Sequence, residues 1–192
     1  YERPSKKIQT NDKLKILVLG GSQAAKIFAE KLPLVFKRCV ENKIFLSVYQ
    51  QCQPSQNKFL NDYYKNLNID YEIFNYSDNI LEYFSKSNIS ITRAGSSMLA
   101  ELMNIDMPFI AVPLPTSADN HQLKNAIFYE ENKFSYLVEE KELNEKIFDL
   151  IKKINDNKTL LNSIIENQGQ FSDKSVYENI EKEVNKLNDE EY

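Results

Sequence analysis

The sequence is poor in the residues that build most catalytic centres. It has one histidine, His121, two cysteines and three arginines among 192 residues. With one histidine, no Ser-His-Asp or Cys-His system can form unless His121 takes part, and no partner spacing supports that. Cys39 and Cys52 stand apart from each other and from His121. They fit no zinc spacing and no CxxC redox motif, so they read as buried or free thiols in a reducing compartment. No stretch reaches the roughly 20 uninterrupted apolar residues a spanning helix needs. No basic-then-apolar leader opens the chain either, so the expected setting is cytoplasmic. The chain begins at Tyr1 rather than Met, as a fragment or a processed chain would.

Charge is dispersed. There are 24 basic and 28 acidic residues, for a net charge of −4. Binding to a polyanion by counterion release needs a concentrated basic face, and none is present, so nucleic acid is not an expected partner. Lysine is the default base here. An arginine such as Arg93 is therefore more readily explained by a need for its planar fork.

What the chain does have is alternation. Short apolar, β-branched runs at Lys15–Leu19, Ile44–Tyr49, Tyr71–Phe74, Ile89–Thr92, Phe109–Val112 and Tyr136–Val138 read as strands. Between them lie helical patterns: from Ala24 with Ile27, Phe28, Leu32, Val35 and Phe36 on one face, then Gln56–Leu67, Asn79–Ser87, Gly95–Met103 and Asn120–Glu131. Pro33 is expected to break or kink the first of these. Helices are expected at 141–155, 158–167 and 174–188. The fold class implied is α/β: a Rossmann-like parallel sheet joined by right-handed crossovers, with helices on both faces. Residues 1–13 read as a linker or edge, 14–170 as one nucleotide-binding domain, and 171–192 as a C-terminal helix and tail.

Ligands of open parallel sheets bind beyond the carboxyl ends of the strands, so the segments just after each strand matter most. Gly20-Gly21-Ser22-Gln23 follows the first strand and can present backbone N–H groups and a hydroxyl to an anion. It is neither GxGxxG nor a Walker loop, and a turn that simply needs glycine explains it equally well. Arg93-Ala94-Gly95-Ser96-Ser97-Met98 follows another strand and places two hydroxyls at a helix start. Ser96 is a natural N-cap there. Glu101, further along the same helix, can accept hydrogen bonds from both hydroxyls of a ribose, or can be a solvated helix residue. Pro113-Leu114-Pro115, then Asp119-Asn120-His121-Gln122, offers donors and acceptors suited to sugar hydroxyls.

Taken together, ILVLGGSQAA at 16–25, TRAGSSMLAE at 92–101 and PFIAVPLPTSADNHQLKNA at 108–126 resemble glycosyltransferase family 28. The likeness is to the C-terminal, donor-binding domain of its bacterial peptidoglycan N-acetylglucosaminyltransferases, and it covers about residues 14–188. The resemblance implies one half of a GT-B glycosyltransferase whose donor is UDP-N-acetylglucosamine. It places Gly21, Ser22 and Gln23 at the diphosphate and the Tyr76-Ser77 backbone at the uracil. Arg93, Gly95, Ser96, Ser97 and Met98 fall at the phosphate loop, Glu101 at the ribose, and His121, Gln122 and Asn125 at the sugar. Two departures stand out: Ala24 replaces a usual glycine, and Met98 replaces a usual hydroxyl residue.

The resemblance further implies no metal, no cofactor and no catalytic base within this chain. The lipid-linked acceptor and the inner membrane surface would be reached through an N-terminal domain outside this sequence. A donor subunit working with a separate acceptor-domain protein, a non-catalytic nucleotide-sugar-binding fragment and a UDP-sugar epimerase are the alternatives; for the epimerase, His121 alone supplies too few acid–base groups.

Overall fold

A computed structural model describes residues 8–9 and 13–171, with residues 21–25 described by backbone only. Six strands alternate with helices: β1 (Leu14–Leu19), α1 (Gly21–Glu41), β2 (Leu46–Gln51), α2 (Asn57–Asn66), β3 (Asp70–Phe74), α3 (Ile80–Lys86), β4 (Ile89–Arg93), α4 (Ser96–Asn104), β5 (Phe109–Val112), α5 (His121–Glu131) and β6 (Tyr136–Leu137). α6 (Leu143–Asp156) and α7 (Thr159–Gln170) follow. Single 3-10 turns at Pro54–Gln56, Ala118–Asn120 and Glu140–Glu142 lead into α2, α5 and α6.

The strands form one sheet in the order β3-β2-β1-β4-β5-β6, and every neighbouring pair is parallel. This is the doubly wound order, with its reversal point between β1 and β4. Successive residues of β1 show how both faces are filled. Ile16 and Val18 face a core built with Phe28, Leu32, Val35 and Phe36 of α1, Leu60 and Tyr64 of α2, and Ile147 and Ile151 of α6. Leu17 and Leu19 face the other side, against Phe84 of α3, Leu99 and Leu102 of α4, and Ala126 of α5. The period of two in the strand thus feeds two separate helical layers.

Three expectations need correction. α1 does not end at Pro33 but runs on to Glu41. Proline removes one helical N–H and costs about 3 kcal/mol in a helix interior. Burying Phe28, Leu32, Val35, Phe36 and Cys39 completely offsets this, since each large apolar side chain contributes about 1.5–3 kcal/mol. The second correction concerns α1's start: it begins at Gly21, not Ala24, because Gly20 already has helical torsions (φ −87, ψ −20). The expected Gly20–Gln23 loop is therefore one residue, followed by the first helical turn. Third, Gly95 rather than Ser96 occupies the cap position of α4.

Part of the expected N-terminal linker is docked: Ile8 is buried, its N–H donates to Asn162 Oδ1 (3.1 Å), and its carbonyl accepts from Asn162 Nδ2 (3.3 Å). α7 is tied down by buried Gln168, whose Nε2 donates to the carbonyls of Met107 (3.1 Å) and Phe134 (2.8 Å). The helix expected at 174–188 lies outside the described residues. Both cysteines are free and buried, and burial pushes the Cys39 thiol up to about 12. Among the described residues, no helix is long and apolar enough to cross a membrane.

Candidate functional site

The reversal of strand order puts the carboxyl ends of β1, β4 and β5 side by side, and α1, α4 and α5 begin there. The first backbone N–H groups of a helix have no partner within it and carry the positive end of its dipole. None of these three helices has an acidic residue in its first turn, and none has a side-chain cap. This rim is thus suited to an anion.

From β1, Gly20 leads directly into the turn Gly21-Ser22-Gln23, so this segment meets the rim as helix N-terminal amides. From β4, Ala94 and Gly95 form the link to α4, and Leu99 N–H closes the first turn on Gly95 O (3.0 Å). Gly95 has extended torsions (φ −71, ψ 133) open to any residue, and a Cβ there would meet nothing within 4 Å. The fold itself does not require glycine at this position. Ser96 and Ser97 are exposed on the first turn of α4. Met98 is half-buried and packs against the second core, so its side chain serves the interior. Glu101 is exposed one turn beyond Ser97, on the same face of α4. Because Cα–Cβ bonds tilt toward a helix N-terminus, the Glu101 Cβ is set on the rim side of its Cα.

From β5, the chain turns through Pro113-Leu114-Pro115 and two consecutive left-handed residues, Asp119 (φ 49) and Asn120 (φ 54). Asn and Asp tolerate this region better than most residues. Exposed His121 opens α5 with its Nδ1 2.7 Å from Ala118 O. Gln122 Oε1 accepts from Leu114 N–H (3.0 Å), which holds the loop onto its helix. Asn125 Nδ2 donates to Ala94 O (3.1 Å), linking α5 to the β4 turn. Gln122 and Asn125 therefore shape the loops.

Beyond β3, Tyr76 is 78% exposed, and Ser77 Oγ accepts from Asn79 N–H (3.1 Å). The residue before them, Asn75, forms a reciprocal amide pair with Asn57 (2.9 and 2.7 Å) and donates to Cys52 O (2.9 Å). This cluster fixes where the Tyr76-Ser77 segment leaves the sheet, and it was missed in the sequence. Its only signal there was an amide residue directly after the strand. Burial raises the Cys52 thiol.

Arg93 is placed differently from expectation. Its guanidinium is buried, not presented at the rim: Nη1 donates to Val112 O (3.4 Å) and Pro113 O (3.2 Å), and Nη2 pairs with Glu140. Among the described residues, no group of three or more His, Cys, Asp or Glu side chains is placed to hold a metal ion.

Doubly wound order, an all-parallel sheet and a rim of helix N-termini at the reversal point define a Rossmann-like α/β domain. Residues 15–183 match the glycosyltransferase family 28 C-terminal domain, and the chain belongs to that family. It is 36% identical over 170 residues, 88% of its length, to a UDP-N-acetylglucosamine–N-acetylmuramyl-(pentapeptide) pyrophosphoryl-undecaprenol N-acetylglucosamine transferase of Pelagibacter ubique (strain HTCC1062). The same-named protein of Rickettsia prowazekii (strain Madrid E) is 37% identical over 155 residues, 79% of this chain. The chain spans 48% and 40% of these two relatives, about half their length or less. In three dimensions it resembles the crystal structure of Acinetobacter baumannii MurG, with a TM-score of 0.77 at 23% identity over 90% of this chain and 49% of that one.

Proposed function

We propose that this chain is the donor-binding half of an inverting glycosyltransferase that moves N-acetylglucosamine from UDP-N-acetylglucosamine to a lipid-linked N-acetylmuramyl acceptor in peptidoglycan synthesis. The observation that carries the reading is the rim itself, where α1, α4 and α5 begin beside the β1–β4 reversal point. The names of the two relatives, and their identity to this chain over most of its length, support the substrate assignment.

In this reading the diphosphate lies against the first turns of α1 and α4. The uracil lies by Tyr76-Ser77, the ribose by Glu101, and the sugar by His121, Gln122 and Asn125. The acceptor hydroxyl attacks the anomeric carbon as UDP leaves, which inverts that centre. Negative charge then grows on the leaving diphosphate, where preorganised N–H groups and helix dipoles stabilise it. The base that takes the acceptor proton, and the contact with a membrane surface at the cytoplasmic side, belong to an acceptor-binding domain outside this sequence. Alone, the chain binds donor and turns it over poorly.

The test is Glu101→Ala with UDP and 2′-deoxy-UDP. Glu101 is exposed, so the fold is expected to survive the change. Affinity for UDP should fall by about 1–3 kcal/mol, the range for losing hydrogen bonds to a charged acceptor, and the loss should shrink for the deoxy ligand. Equal losses for both ligands would remove Glu101 from the ribose.

A further inference from the structure

Arg93 and Glu140 form an ion pair whose arrangement makes little sense as a stabilising device. Arg93 is 9% exposed, and its partner carboxylate side chain 26%. Taking both charges out of water costs several kcal/mol per ion, and apolar residues of the same volume often stabilise as well or better. The pair is also imperfect in its own terms, since among the described residues the buried Arg93 Nε–H has no acceptor. The guanidinium lies over the Phe28 ring of α1, 5.2 Å from its centroid.

Its position suggests what it does. Arg93 ends β4, and its Nη1 donates to two successive carbonyls, Val112 and Pro113, where β5 exits. Glu140, in the turn before α6, fixes the other nitrogen. The next residue, Ala94, points to the opposite face and is held by Asn125 of α5. The Ala94-Gly95 turn is thus gripped from both sides of the sheet, and the Pro113 loop is fixed to the same guanidinium. A lysine has a single donor nitrogen, whereas Arg93 reaches the two carbonyls from Nη1 and Glu140 from Nη2.

The geometry points to the Arg93–Glu140 pair as a positioning device for the donor crevice. It sets the spacing between the β4 turn and the β5 loop, so that amides of α4 and side chains of α5 meet one ligand together. Neither residue touches the ligand. Glu140 brings the segment leading into α6 into the control of binding, although that segment contributes nothing else to the rim. This inference rests on the donor-binding reading above.

The experiment compares the parent chain with the double variant Arg93→Met/Glu140→Met and with Glu140→Gln, measuring thermal midpoint and UDP affinity for each. The double variant should melt at or above the parent temperature yet bind UDP about tenfold more weakly, the scale of coupling through a packed network. Glu140→Gln keeps the packing and one acceptor, and should weaken binding about threefold. Arg93→Lys should not restore parent affinity. Undiminished UDP affinity in either folded variant overturns the positioning role while leaving the donor-binding reading intact. If the double variant does not fold, Glu140→Gln decides the matter alone. Failure of the parent chain to bind UDP overturns both.

Discussion

Replacing Gly95 with valine is expected to leave the fold intact and to weaken donor binding about a hundredfold. The two halves of this result come from different facts. Gly95 has φ −71 and ψ 133, and a Cβ placed there meets nothing within 4 Å. A β-carbon therefore fits the folded chain without strain, and the smaller unfolded-state freedom offsets part of what valine loses as a helix cap. In the proposed reading, the same empty space is where a diphosphate approaches the first N–H groups of α4. An isopropyl group there holds the phosphate off, and UDP affinity should drop about a hundredfold, or ~2.7 kcal/mol. Calorimetry with UDP and a melting curve on the same sample check both halves. Unchanged affinity would mean that the ligand does not pass this turn.

Phe28→Ala is expected to have the largest effect on stability. Phe28 is fully buried on α1, in the core that joins the β1 face to α6, and it also carries the Arg93 guanidinium on its ring. Truncating a buried phenylalanine costs about 3–5 kcal/mol, because the lost transfer energy and the residual cavity add. Against a total of about 5–15 kcal/mol this is a large fraction. At this chain length it should lower the melting midpoint by about 10 °C. Urea denaturation gives the same quantity independently. A shift of under about 3 °C would mean that the helix holds to the sheet by other contacts.

The parts of the fold that could be read from sequence are those where local pattern and burial agree. β4 and β5 are short apolar runs covered on both faces, and their residues are all buried, so periodicity located them within a residue. β2 was read two residues early. Ile44 is apolar and buried, but it belongs to the turn after α1, where Lys43 has φ 59 and Ile44 N–H bonds back to Cys39 O. The strand ends instead on Gln50 and Gln51; Gln50 is completely buried because its side chain accepts from Tyr64 on α2. A polar residue in such a place is not predictable without the partner. At Pro33 the break allowed for did not occur, because a buried helix face overrode the local rule.

Around the candidate site, the rim segments were legible as turns because the alternation of strands and helices shows where each strand ends. Side-chain employment was not. Arg93 was rightly marked as needing its fork, but the fork serves carbonyls and Glu140, 47 residues away. Gln122 and Asn125 likewise hold backbone groups of two different loops. Sequence spacing cannot show such long-range pairings, although Glu140, three residues past the last strand, lay at the same end of the sheet.

The central claim is that a uridine diphosphate sugar sits at the β1–β4 reversal point. The most direct test is calorimetric titration of this chain with UDP-N-acetylglucosamine, repeated with excess UDP and with Gly95→Val. The expected result is saturable binding that UDP competes away and that Gly95→Val weakens about a hundredfold. No binding at about 1 mM donor, an affinity limit near −4 kcal/mol, or binding that Gly95→Val leaves untouched, would contradict it.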